Sequence, residues 1–148
     1  MKKFFLILML LAGLGSSISS AQVGIVDCIE QKTISVAKIR GQVFDPTGVP
    51  IPGAKIKVVA DDKSESISNS DENGRFEINS PSGHYKLSVA FRGFETTNAE
   101  LGVRPDLLSI FHSSALKVIL VVGSLDCPWV TTSNKEFKEY VKKHATQK

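Results

Sequence analysis

The chain has 148 residues, with 18 basic and 15 acidic side chains and a formal charge of +3. That length supports a single domain with its own core. No basic stripe interleaved with aromatics runs through it, which argues against nucleic acid as a partner.

Residues 1–21 have the form of a secretory signal peptide. Lys2 and Lys3 form a charged start, residues 4–14 are an apolar run too short to span a bilayer, and Ser19 and Ala21 are small residues placed for cleavage before Gln22. Removal of this leader leaves 16 basic against 15 acidic residues. The remaining apolar run, 116–122, is of strand length, so no membrane span is expected after cleavage. The protein is expected to be exported, to a periplasm or to the extracellular medium.

Two cysteines remain, Cys28 and Cys127, near the two ends of the exported chain. In an oxidising compartment an even pair reads as a disulfide. Such a bond would close a loop of about 100 residues, worth roughly 4–5 kcal/mol in the chain-entropy account. Neither a Cys-x-x-Cys spacing nor a close set of ligands suggests a metal or redox role instead.

Residues 22–38 form a weakly patterned N-terminal extension, with one short strand expected at 23–26. The sheet proper starts within 34–44. Asp45-Pro46-Thr47-Gly48 has turn chemistry: Pro presets φ and Gly accepts a positive one. Pro50 and Pro52 fix an extended bend, because neither can donate to a ladder. Residues 54–60 alternate apolar and lysine positions. Residues 65–70 are polar apart from Ile67, which suits an edge or a solvent face. Asp71-Glu72-Asn73-Gly74 is a hairpin turn, and Phe76 and Ile78 point inward after it. Beyond the turn at 80–83, Tyr85, Leu87 and Val89 face the core, and Phe94 plugs its end. Strands are expected at 97–103, at 107–111 and, buried on both faces, at 116–122. After Trp129, Ser133-Asn134-Lys135-Glu136 is a capping box. Phe137, Tyr140 and Val141 give the short C-terminal helix a narrow apolar stripe.

These phrases resemble the carboxypeptidase regulatory-like domain, a transthyretin-like β-sandwich. The likeness rests on Gly41 and Val43, on Asp45, Gly48 and Pro50, and on Pro52, Gly53 and Ala54. Further along it rests on Asp71, Gly74 and Phe76, then on Pro81, Gly83, Tyr85 and Leu87, and finally on Gly93 and Phe94. It covers residues 39–123, leaving 124–148 as a C-terminal extension that carries the helix. It implies an all-β, antiparallel Greek-key sandwich of about seven strands. Gly41, Asp45, Gly48, Pro50, Gly53, Asp71, Gly74, Gly83 and Gly93 are expected to set turns. Phe44, Ile56, Val58, Phe76, Ile78, Tyr85, Leu87 and Val89 are expected to fill the core.

Catalytic readings find little support in the residues. Asn69, Asp71, Asn73 and Gly74 imitate the start of a calcium loop, but Ser80 stands where a bidentate Glu is required. Asp61, Asp62 and Glu65 read as a solvated turn. His84, His112 and His144 lack zinc-ligand spacing. His112, Ser113 and Ser114 lack a nucleophile elbow. Carboxypeptidases that carry such a domain keep their zinc chemistry in a separate one, and a transthyretin-like hydrolase ends in a tyrosine-rich serine tetrapeptide that differs from Ala145-Thr146-Gln147-Lys148. No cofactor is expected. The expected role is a non-catalytic binding or accessory module for a protein partner, with 65–70 as a docking edge. The alternative is carbohydrate binding, with Trp129 as the candidate contact.

Overall fold

The computed structural model describes residues 33–104, 115–123 and 127–145. The leader, the short strand expected at 23–26, Cys28, the strand expected at 107–111 and the His112-Ser113-Ser114 group lie outside them.

Among the described residues nine strands and one helix follow in order: β1 (Ile34–Val36), β2 (Ile39–Phe44), β3 (Lys55–Ala60), β4 (Glu65–Asn69), β5 (Arg75–Ile78), β6 (Gly83–Ala90), β7 (Thr97–Val103), β8 (Leu116–Ile119), β9 (Trp129–Thr131) and α1 (Asn134–Ala145). They form a sandwich of two sheets, with orders β1-β7-β6-β3-β4 and β5-β2-β8-β9. The seven strands β2 to β8 are those of the family-like region. β1 and β9 are three-residue additions from the two extensions.

The sheets are mixed rather than purely antiparallel. β1 runs parallel to β7, and β2 runs parallel to β8. Tight hairpins force antiparallel neighbours, whereas a strand that arrives from the opposite sheet is free to run either way. β8 and the preceding described strand, β7, belong to different sheets, and β8 lies alongside β2 in the same direction.

The core lies where period-two alternation places it. Ile56 and Val58 of β3 meet Phe76 and Ile78 of β5, Leu87 and Val89 of β6, and Leu101 and Val103 of β7. Tyr85 is buried too, and its hydroxyl donates to the Pro81 carbonyl at 2.8 Å, which ties the start of β6 to the turn before it. Phe94 is half-buried and packs against the same cluster.

Phe44 is buried but belongs to a different layer. On β2 the odd residues Ile39 and Val43 face the sandwich core, so Phe44 points out of the other side of the sheet. There its ring lies 4.6 Å from that of Phe137 on α1. Ile119 sits next to Phe44 in the ladder with β8 and opposite Trp129 in the ladder with β9. The buried apolar residues of 116–120 divide accordingly: Leu116, Val118 and Leu120 face the main core, and Ile119 faces the layer that carries α1.

Most of the expected turn residues do set turns. Gly48, Gly53, Gly74 and Gly93 adopt positive φ. Asp45 Oδ1 accepts from the Thr47 amide and hydroxyl and from the Val49 amide at 2.8–2.9 Å. Asp71 Oδ1 accepts from the amides of Asn73 and Arg75. Pro50 forms an isolated bridge with Phe44, and Gly83 opens β6. Gly41 is the exception. It lies inside β2, between Phe76 on β5 and Leu116 on β8. A Cβ there would stand 2.5 Å from the Leu116 carbonyl oxygen and 2.9 Å from Phe76 Cζ. Close packing across the sheet, and not a turn, requires glycine at this position.

Ser70 closes the bend that Pro50 and Pro52 open. Its buried hydroxyl accepts from the Ala54 amide and donates to the Ile51 carbonyl, each at 2.8 Å. Ser70→Ala leaves both groups without that partner. Because such groups are costly when buried, the variant should lose about 2 kcal/mol in urea unfolding. A loss below about 0.5 kcal/mol would show that water replaces the hydroxyl.

Candidate functional site

Three places in the fold hold the residues that the sequence marks for function. The first is the layer outside β2, β8 and β9. Trp129 is half-buried in β9, and its indole Nε1 is enclosed without a hydrogen-bond partner among the described residues. A sugar platform needs an exposed ring face and a free polar edge, and Trp129 instead lies beside Ile119. The apolar stripe of α1 is also occupied. Phe137 meets Phe44, Val141 covers Gly48, and the Tyr140 hydroxyl reaches the Cys127 carbonyl at 3.5 Å. Short helices need such packing to persist.

The start of α1 departs from a simple capping box. Ser133 Oγ accepts from the Glu136 amide at 3.3 Å, as expected of an N-cap. The Glu136 carboxylate does not return to the Ser133 amide. Thr131 stands between them: its hydroxyl accepts from the Ser133 amide at 3.0 Å and donates to Glu136 Oε2 at 2.6 Å. A residue of β9 thus locks the helix to the sheet. Thr131→Val keeps the shape and removes the relay. It should cost about 1 kcal/mol and speed amide exchange in the first turn of α1, while exchange in β3 and β6 stays unchanged.

The second place is the turn between β3 and β4. Asp62 Oδ1 accepts from the Ser64 hydroxyl at 2.6 Å and from the Ser64 amide at 2.9 Å. These bonds hold the Asp62 carboxyl below the usual aspartate range. Glu65 pairs instead with Lys57 at 2.7 Å. The two acids have separate structural partners, and no shared proton site joins them. Lys63 takes the left-handed φ of 67° that closes this turn. Among the described residues no group of three or more His, Cys, Asp or Glu side chains is placed to hold a metal ion. His84 is exposed at the start of β6, and the ring of His144 stacks on Tyr140.

The third place is β4 itself, at the end of its sheet among the described residues. It pairs with β3 in an antiparallel ladder that runs from Val59 opposite Glu65 to Lys55 opposite Asn69. Just beyond the ladder's ends the Ala60 amide donates to the Ser64 carbonyl, and the Ser70 amide to the Ala54 carbonyl. Hydrogen-bonded pairs alternate along an antiparallel ladder. The backbones of Ser64, Ser66, Ser68 and Ser70 therefore face β3, and those of Glu65, Ile67 and Asn69 face away from it. The outward Asn69 carbonyl receives only a long 3.5 Å contact from Ser68 Oγ. Ile67 is 58% exposed, with its side chain on the same sheet face as the Lys57–Glu65 pair. The polarity of this segment revealed an edge. The outward register of Ile67 was hidden, because it depends on how β3 pairs.

Residues 38–108 match the carboxypeptidase regulatory-like domain model. No curated protein matches the chain. Among solved structures, the 5-hydroxyisourate hydrolase of Klebsiella pneumoniae is similar at 13% identity and a TM-score of 0.49, covering 66% of this chain and 99% of that one. The 3-chlorocatechol 1,2-dioxygenase of Rhodococcus opacus is similar at 15% identity and a TM-score of 0.39, covering 63% of this chain and 59% of the enzyme. Neither likeness carries an activity to this chain.

Proposed function

We propose that this chain, which carries a carboxypeptidase regulatory-like domain, is an exported, non-catalytic binding module that takes up an extended polypeptide segment along β4. The observation that carries this reading is the edge that the described residues leave open: Glu65, Ile67 and Asn69 turn their amides and carbonyls outward, and Ile67 is exposed. Strand addition uses such groups for affinity and the alternate side chains for selectivity. Export is supported by the leader-like 1–21 segment. A Cys28–Cys127 bond fits this setting, and the described residues hold no free cysteine.

The edge can be blocked without breaking the fold. Proline at residue 67 removes an outward amide and leaves the ladder to β3 intact. Ile67→Pro should keep the wild-type thermal midpoint to within a few degrees and lose capture of a polypeptide partner from the native envelope or medium. Ser68→Pro removes an amide that faces β3 and should destabilise the domain itself. Undiminished capture by a folded Ile67→Pro variant would remove the edge from the binding site.

A further inference from the structure

The pattern of residues along β4 identifies one partner. Glu65-Ser66-Ile67-Ser68-Asn69 presents outward backbone groups at its first, third and fifth positions. An antiparallel copy of the same strand, related by a two-fold axis through Ile67, matches this set position for position. Ile67 falls opposite Ile67 of the second copy, and Glu65 falls opposite Asn69 of the second copy, in both directions. All three are hydrogen-bonded pairs in that register, giving about six backbone hydrogen bonds.

The side chains agree with the backbone. The exposed isoleucine would meet its equal, which removes an apolar group from water on both copies. The only acid on the strand would face an amide, and its charge is already balanced by Lys57 within its own copy. Glu65 would not face Glu65, so no like charges stand directly opposite. A shift by one residue sets outward backbone groups against inward ones, and a shift by two sets Ile67 against a polar residue. The register with the two-fold at Ile67 is thus the one that satisfies both.

We infer that the β4 edge is an isologous interface, and that two copies of this chain join their five-stranded sheets across it into one continuous sheet. This rests on the reading of β4 as the docking edge and names a second copy as its occupant. The contact is one strand wide, so the dimer should be weak and dependent on concentration.

The test is sedimentation equilibrium of the protein exported with its own N-terminal sequence, with hydrogen exchange on the same samples. A monomer–dimer equilibrium is expected. On raising the concentration, the amides of Glu65, Ile67 and Asn69 should slow, while those of Ser66 and Ser68 stay protected throughout. Ile67→Lys sets two positive charges face to face at the axis and should weaken the dimer at least about tenfold. Ile67→Pro should weaken it as well, with circular dichroism unchanged for both variants. A wild-type protein that stays monomeric up to millimolar concentration would overturn the inference, as would a dimer that both variants retain. A monomeric wild type whose Ile67→Pro variant loses a different polypeptide partner would overturn the second copy as occupant and keep the edge as a docking site. A retained dimer with undiminished partner capture would remove both.

Discussion

Gly41→Ala is expected to destabilise the domain by about 3 kcal/mol or more, at the upper end of overpacking costs. The added methyl would stand 2.5 Å from the Leu116 carbonyl oxygen, 2.8 Å from Leu116 Cβ and 2.9 Å from Phe76 Cζ. A flexible side-chain tip could move aside, but two of these atoms are fixed by the β2–β8 ladder. Relief requires β2 and β8 to separate, and that breaks the centre of the sheet. Urea unfolding measures the loss. A variant within about 1 kcal/mol of wild type would mean that the two strands are less tightly apposed than these distances indicate. Unlike Gly48 or Gly74, Gly41 does not adopt a positive φ, so a loss here reports packing and not backbone strain.

Phe76→Ala should cost about 3–5 kcal/mol. The ring is 5% exposed, lies in the central cluster and rests on Gly41 across the β2–β5 pair. An aromatic ring over a strand glycine fills the space that the absent side chain leaves. The two positions should therefore be coupled. Combined with Phe76→Leu, Gly41→Ala keeps its clash with the Leu116 carbonyl and loses the one with the ring. The double variant should be more stable than the sum of the single losses predicts. Full additivity would place the whole cost at Leu116.

Alternation identified the inward faces of β3, β5 and β6 because a strand projects its side chains with a fixed period of two. Asp45 and Asp71 were recognisable because their carboxylates accept from amides two and four residues on, a contact contained within the turn. The N-cap at Ser133 is legible for the same reason, since the Glu136 amide it accepts from lies three residues on. Phe44 leaves the main core that the sequence predicts for it, because an apolar residue at the end of an apolar strand gives no indication of which face another element will cover. Thr131 carries no sequence signal of its role, because its partners lie at and beyond the start of the helix that follows β9.

The candidate site divides in the same way. The polarity of 65–70 was enough to place it at an edge, since a buried strand with so few apolar residues would strand polar side chains away from water. Which of its backbone groups stay open depends on the hydrogen-bonded phase of the β3–β4 ladder, a relation between two strands. By itself the sequence determined an all-β sandwich with its turns, its main apolar faces and a capped C-terminal helix, because these depend on residues within a few positions of one another. The tertiary structure alone decided that β1 runs parallel to β7 and β8 to β2, that Gly41 is a packing glycine, that α1 covers the outside of β2, and that Ile67 lies on an edge left open by the described residues. Each of these is a contact between distant segments, set by how the two sheets register and pack.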